Sequence, residues 1–332
     1  MPKIFIKKYK THVEKICALA NKGSRWLIVI SADPDAIASA LALKRILSRR
    51  AQEVNIARIN EITRPDNLSM LRYLRVDLPL LTPEIVAQHD HFAMVDSQPE
   101  HHAEFAGIPF SIVIDHHPPC ACNLTPDAVL DIRPEYGSCS AILCTYLVGA
   151  KIRPGRMLAT ALLYGIYTDT GNFSRKTSDA DLRAVRFLTT LADHAKLSRI
   201  YRGQFLMDWI TPFVAGVQHM QKIGSGQFIY MGNVQSPDLL VLTVDFLMHI
   251  HEVRFAAVAG VYKNSLVITL RSDGVRNVGT LATQAFGAYG SAGGHQSMAR
   301  AEIPLENIKN SDPEEFVLKR VHAAIRRKKT AK

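Results

Sequence analysis

This 332-residue sequence predicts an α/β protein of two domains, the first a doubly wound, mainly parallel sheet and the second a smaller α/β unit. Short apolar runs of strand length alternate with helical patterns through the first half, the arrangement that generates parallel sheets flanked by helices. Beyond about residue 195 the alternation gives way to a β-rich stretch closed by helices. The length is long for one compact core and comfortable for two.

Taken in order, residues 8–21 carry a helical pattern with Val13, Ile16, Cys17 and Ala20 on one face, ended by Gly23-Ser24. RWLIVIS (25–31) is a continuous apolar run, as expected of a strand buried on both faces of a parallel sheet. The Ala/Leu-rich AIASALALKRILSRR reads as a helix. EVNIAR (53–58), HFAMVD (91–96) and SIVID (111–115) read as further strands, and helical patterns dominate from Ser138 to Arg202. KLSRIYRGQF and TPFVAGVQHMQKI look helical and predict a connecting arm. Strands are then predicted at 226–233, 239–244, 253–263 and 265–272. A helix follows at 279–289, a short strand at 299–303 and a last helix from Asp312. The predicted division is a domain over 1–195, a helical linker over 196–214 and a domain over 215–332.

Composition narrows the class. Hydrophobic residues make up 47% of the chain, enough to build cores and too many for a disordered protein. No apolar run approaches the roughly 18–20 residues of a membrane helix. The basic N-terminus lacks the apolar stretch and cleavage site of a signal peptide, so the expected location is the cytoplasm, with no membrane partner. Five cysteines (Cys17, Cys120, Cys122, Cys139, Cys144) show neither a disulfide framework nor a zinc spacing and read as ordinary thiols. Forty basic against thirty acidic side chains give a formal +10, which favours anionic partners such as nucleotides or RNA. The run Arg326-Arg327-Lys328-Lys329 reads as a solvated helix end that suits the helix dipole.

The chemistry concentrates where strands end. Asp33 and Asp35 lie in SADPDA after the first strand, Asp96 closes HFAMVD, and Asp115 closes SIVID just before His116 and His117. Asp169 lies in YTDTGNF within the helical half. In open α/β sheets the carboxyl edges of the strands share one crevice, so these acids should meet despite their separation in sequence. Any one of them has a bland reading: Asp33 or Asp35 could simply cap the helix that begins near Ala36. Together, oxygen donors plus one imidazole suit a divalent ion such as Mn²⁺ or Mg²⁺.

The ordered segments ADPDAIAS (32–39), VDS (95–97), IDHHP (114–118) and YTDTGNF (167–173) resemble the four N-terminal motifs of the DHH phosphoesterase superfamily. TLRS (269–272) and FGAYGSAGGHQSMARAEI (286–303) resemble the associated C-terminal domain of its oligoribonuclease (nanoRNase) and pAp-phosphatase branch. The resemblance spans roughly residues 25 to 305. It implies two metal ions, usually Mn²⁺, in an active-site cleft between the domains. Asp33 would hold the first ion, Asp35, His116 and Asp169 the second, and Asp96 both. His117 would face the substrate phosphate or support the metal shell, and Asp115 would orient the imidazoles. In the C-terminal domain Arg271 and Ser272 would hold phosphate, Gly293 and Gly294 would admit the ligand backbone-close, and His295 would reach the phosphate or base.

Three positions depart from the family pattern. A histidine normally stands four residues before the first aspartate, and here that residue is Val29. The first ion would then be completed by water or substrate phosphate, or by a remote side chain such as His12, His89 or His91. Met298 and Arg300 stand where small residues are usual; Arg300 either adds a phosphate contact or projects outward. The expected activity is hydrolysis of short oligoribonucleotides or of 3′-phosphoadenosine 5′-phosphate. Alternatives are linear or cyclic dinucleotides, inorganic polyphosphate, or a catalytically impaired nucleotide-binding protein. A homodimer is the further partner to consider.

Overall fold

In the computed structural model the described residues are 3–120, 124, 127–224, 226–309 and 311–327. They form two compact units, divided between Gly203 and Gln204.

The first unit contains α1 (Lys3–Leu19), β1 (Arg25–Ile30), α2 (Pro34–Leu47), β2 (Glu53–Arg58), α3 (Pro65–Leu74) and α4 (Pro83–Ala87). It continues with β3 (His91–Val95), β4 (Phe110–Asp115), β5 (Val129–Ile132), α5 (Cys139–Gly149), α6 (Arg156–Asp169), α7 (Asp179–Thr189) and α8 (His194–Arg202). Its five strands are ordered β2-β1-β3-β4-β5, and every neighbouring pair is parallel. The alternation of the strands explains the two apolar layers. Ile28 and Ile30 pack into a core shared with α1, α2, α5 and α6. Leu27 and Val29 pack on the other face, with Ala57, Met94, Phe105 and Val113. Both faces are covered, which is why β1 reads as an unbroken apolar run.

In this order the chain leaves β1 toward β2 on one side and toward β3 on the other. That makes the gap between β1 and β3 the topological switch point, the place where loops part and a ligand can enter. Asp33 follows β1 there, and Asp96 follows β3.

The second unit holds α9 (Ile210–Gln218), β6 (Gln221–Ile223), β7 (Gly226–Asn233), α10 (Pro237–Leu247), β8 (Phe255–Tyr262) and β9 (Ser265–Ser272). α11 (Val278–Phe286), β10 (Ser291–Gly294), β11 (Met298–Pro304) and α12 (Pro313–Arg327) complete it. Its six strands run β10-β11-β9-β8-β7-β6, with β7 and β8 parallel and the other neighbours antiparallel. α11 and α12 line one apolar layer of this sheet, and α9 and α10 the other.

Three predicted features differ. Residues 239–244 are helical, not a strand: Ser236 Oγ accepts from Asp238 N at 3.2 Å, Pro237 opens α10, and Leu239, Leu240, Thr243, Val244 and Leu247 bury one helical face. An apolar run of this length has no periodicity that separates strand from helix, and the Ser-Pro-Asp start decides it. The predicted helix over 211–223 stops at Gln218, and its last residues become β6. The predicted linker is divided: Leu197 and Ile200 of α8 sit in the first unit's core, whereas Trp209, Phe213 and Val217 belong to the second. Strands β5 and β10 were not anticipated. Cys17, Cys120, Cys139 and Cys144 are free thiols, while Cys122 lies outside the described residues. The side chains of the basic run 326–329 also lie outside them. Among the described residues no helix is long and apolar enough to cross a membrane.

Candidate metal centre

Asp35, Asp96, His116 and Asp169 each place one ligand atom so that all four lie within 4.8 Å of one another. Four different elements deliver them. Asp35 is in the first turn of α2 and wholly buried. Its Oδ2 accepts from Cys139 N at 2.6 Å and its Oδ1 from Ser140 N at 2.7 Å, so the N-terminus of α5 pins the carboxylate. Asp96 follows β3 with φ of 59°, a left-handed conformation that turns its side chain out of the strand direction. His116 follows β4, and Asp169 ends α6.

His116 Nε2 lies 3.2 Å from Asp96 Oδ1 and 3.1 Å from Asp169 Oδ2. Those contacts are short in distance but not aligned as hydrogen bonds, and the buried His116 Nε2 and Asp96 Oδ1 have no hydrogen-bond partner. Buried polar atoms without a partner are costly, and orphans converging from separate elements fit a cation that would satisfy them all. Three carboxylates and one imidazole form the donor set of a hard divalent ion.

Without a cation the group is electrostatically crowded. Burial first, and then the nearby Asp169, push the Asp33 carboxyl up to about 6 and that of Asp35 to about 7. Asp96 is raised well above the carboxylate range, by burial and then by Asp35 and Asp33. For His116 burial pulls the opposite way, yet the Asp169 and Asp96 carboxylates outweigh it and push the imidazole up to about 12. Each carboxylate gains from a shared positive charge, which the His116 imidazolium supplies and a bound cation would replace.

Asp33 takes the capping role: its Oδ1 accepts from Ala36 N at 2.8 Å, and it stands outside the four-residue set. Val29 is wholly buried in the second apolar layer. None of the remote imidazoles joins the centre. His89 Nδ1 bonds Ile85 O at 2.7 Å, His91 stacks on Trp26 at the start of β1, and His12 stacks on Tyr146.

Asp115 serves a different purpose. Its Oδ1 accepts from His116 N and from His117 Nδ1, both at 2.8 Å, and its Oδ2 from Gln98 Nε2 at 2.7 Å. Burial raises this carboxyl, but the bonds from His117 and Gln98 prevail and hold it below the ordinary range. An ionised carboxylate only accepts, so His117 Nδ1 is the donor and the neutral ring keeps Nε2 as an acceptor. The bond to Asp115 raises His117 above the usual imidazole range. Gln98 was missed in the sequence. Wholly buried, it also donates to Pro118 O at 3.1 Å and accepts from Cys120 N at 2.8 Å, so it locks the loop after β4. A lone Gln in a turn gives no signal of such a position.

In the second unit Arg271, Gly293, Gly294 and Arg300 line one cavity of about 500 Å³. Arg271 Nε donates to Asp245 Oδ1 at 2.7 Å, and Arg300 pairs with Glu302 at 3.0 Å. Gly294 has φ of 149°, and a Cβ there would meet Met298 O at 2.3 Å, so glycine is required. His295 is exposed and held by its backbone: its N donates to Met298 O at 2.7 Å and its O accepts from Gly279 N at 2.9 Å. Ser272 is spent otherwise. Its hydroxyl donates to Arg276 O at 2.6 Å, closing the turn after β9.

A five-stranded parallel sheet with an acid–imidazole cluster at its switch point defines an α/β protein with a candidate metal centre. Residues 26–166 match the model of the DHH family, N-terminal domain. Over 301 residues the chain is 32% identical to an uncharacterized protein of Methanocaldococcus jannaschii, covering 90% of this chain and 62% of that one. Over 208 residues it is 28% identical to the cyclic-di-AMP phosphodiesterase PdeA of Listeria monocytogenes, covering 58% and 29%. The chain thus spans less than two thirds of the length of these curated relatives. The crystal structure of an exopolyphosphatase-related protein from Bacteroides fragilis has the same fold, with a TM-score of 0.70, 19% identity and 98% of each chain covered.

Proposed function

We propose that this protein is a divalent-metal-dependent phosphoester hydrolase of the cytoplasm, acting on short oligoribonucleotides or on 3′-phosphoadenosine 5′-phosphate. The observation that carries this reading is the convergence of Asp35, Asp96, His116 and Asp169, with His116 Nε2 and Asp96 Oδ1 left without partners. Mn²⁺ or Mg²⁺ would be held by these four residues, and a weaker second ion by Asp33 together with Asp96. Bound there, a divalent cation supplies Lewis acidity toward a phosphoryl oxygen and brings the ionisation of water toward neutral pH.

The chain's own groups do the rest. Asp115 fixes the tautomer of His117, so its Nε2 faces a phosphate in one orientation. Asp35, pinned by two backbone N–H groups, keeps its place as charge changes around it. Arg271 is oriented by Asp245 and offers its remaining N–H groups to an anionic ligand in the cavity it shares with Gly293 and Gly294. The name of the Listeria relative favours a second substrate class, cyclic dinucleotides.

The test is hydrolysis of 5′-phosphorylated diadenylate, 3′-phosphoadenosine 5′-phosphate and cyclic di-AMP by the purified chain with Mn²⁺, beside an Asp96→Ala variant. Turnover by the wild type alone supports the reading and ranks the substrates. Equal turnover by both proteins, or none by either, rejects it.

A further inference from the structure

Beside His117 stands another imidazole that the reading above leaves unused. His101 closes a short 3₁₀ turn, Pro99–His101, that begins at Gln98. Its Nδ1 is approached by Gln98 N at 3.2 Å and by Ser97 Oγ at 3.3 Å. The backbone N–H can only donate, so Nδ1 accepts and the ring of the neutral imidazole carries its proton on Nε2. That Nε2 has no protein partner among the described residues. The ring lies edge-on to His117, with centroids 5.6 Å apart and planes at 88°.

One residue ties the two rings together. Gln98 presents its backbone N–H to His101 and its side-chain amide to Asp115, which in turn holds His117. Both imidazoles are therefore fixed at Nδ1 and turned with Nε2 away from the protein backbone. Burial, against the pull of Asp115, keeps His101 below the usual imidazole range, so it offers an N–H dipole and not a cation.

We propose that His101 is a second substrate-facing imidazole of this centre, donating its Nε2–H to a non-bridging oxygen of the phosphate ester while His117 faces the same group. This rests on the hydrolase reading and adds to it a donor aimed where charge grows during phosphoryl transfer.

The experiment combines two measurements. Turnover of the best substrate with Mn²⁺ is compared for wild type, His101→Ala and His101→Gln, the last returning an N–H near the place of Nε2. Loss of kcat/KM by roughly 10²-fold in His101→Ala, partly restored in His101→Gln, with Mn²⁺ binding by calorimetry unchanged, is the expected result. Separately, ¹⁵N imidazole spectra of the Mg²⁺-loaded wild type should show the Nε2–H tautomer of His101, with its Nε2 signal moving when inorganic phosphate is added. Unchanged turnover in His101→Ala while the wild type is active overturns the assignment and leaves the hydrolase reading standing. A wild type inactive on every substrate removes that reading instead, and the spectra still decide: an Nδ1–H tautomer, or no response to phosphate, ends the case for His101.

Discussion

Gly165 of α6 touches the carboxylate end of Asp35 so closely that a Cβ on residue 165 would stand 3.1 Å from Asp35 Cα and 2.5 Å from Ser140 Oγ. The absence of a side chain lets α6 pass beside the start of α2 and the N-terminus of α5, where Asp35 is pinned. Gly165→Ala gains helix propensity of about 1 kcal/mol, yet it must displace the buried Ser140 hydroxyl, 2.5 Å from the added Cβ, and crowd Asp35. Overpacking of this kind costs about 1–3 kcal/mol. Urea unfolding of the variant should show net destabilisation, and calorimetry should show weaker Mn²⁺ binding. A variant as stable as the wild type with unaltered binding contradicts the close approach.

Asp96 offers a variant that separates metal binding from folding. Asparagine tolerates the left-handed conformation that Asp96 adopts, so Asp96→Asn needs no backbone change. It also removes one negative charge from beside Asp35 and Asp33, whose proximity raises Asp96. Thermal unfolding in EDTA should therefore find the variant no less stable than the wild type. Saturating Mn²⁺ should raise the Tm of the wild type only, because a ligand at about 100 times its Kd adds about 2.7 kcal/mol. Equal shifts in both proteins would place the cation elsewhere.

The pH dependence of the cation-free protein follows from the same crowding. Asp33 and Asp35 have folded values of about 6 and about 7 against an ordinary 3.8, so the folded state binds more protons than the unfolded state between those limits. Stability that is complete below the ordinary value is then lost as pH rises through the folded ones. His116, raised to about 12 from 6.5, acts in the same sense over a higher range. In EDTA the urea midpoint should fall between pH 4.5 and pH 7.5. With saturating Mg²⁺ the fall should shrink, since the cation stabilises the ionised carboxylates. A midpoint that climbs with pH in EDTA refutes the crowded cluster.

The acids of the centre were legible because each follows a strand or lies in a conspicuous short motif, and a parallel sheet sends strand ends to one edge. Asp35, Asp96, His116 and Asp169 meet as that rule requires. What stayed hidden depends on contacts that sequence spacing does not encode. Gln98 matters because its amide reaches Asp115, 17 residues away, and Gly165 because α6 crosses α2 beside it. Asp33 could be read as ligand or cap, and only coordinates show it accepting from Ala36 N. In the second unit LLVLTV carried equal apolar weight as strand or helix, and the cap at Ser236 resolved it. The turn that the Ser272 hydroxyl closes on Arg276 O was likewise outside what spacing shows.

Gly279 opens the first turn of α11 directly beneath the glycine-histidine loop. A Cβ there would meet Gly294 O at 2.4 Å and His295 O at 2.8 Å, both backbone atoms that cannot swing aside. The contact is useful as it stands, because Gly279 N donates to His295 O at 2.9 Å and holds the loop at a fixed height over the helix. Gly279→Ala must lift residues 294–295 or push α11 outward, breaking that bond and disturbing the pairing of Gly294 with Ala299. Overpacking predicts a loss of about 1–3 kcal/mol, readable by urea unfolding. If the loop serves the substrate, the same variant should raise KM for the phosphorylated dinucleotide several-fold more than it lowers kcat, since the acids of the first unit are untouched. A variant that loses stability with KM unchanged would assign the loop to folding alone.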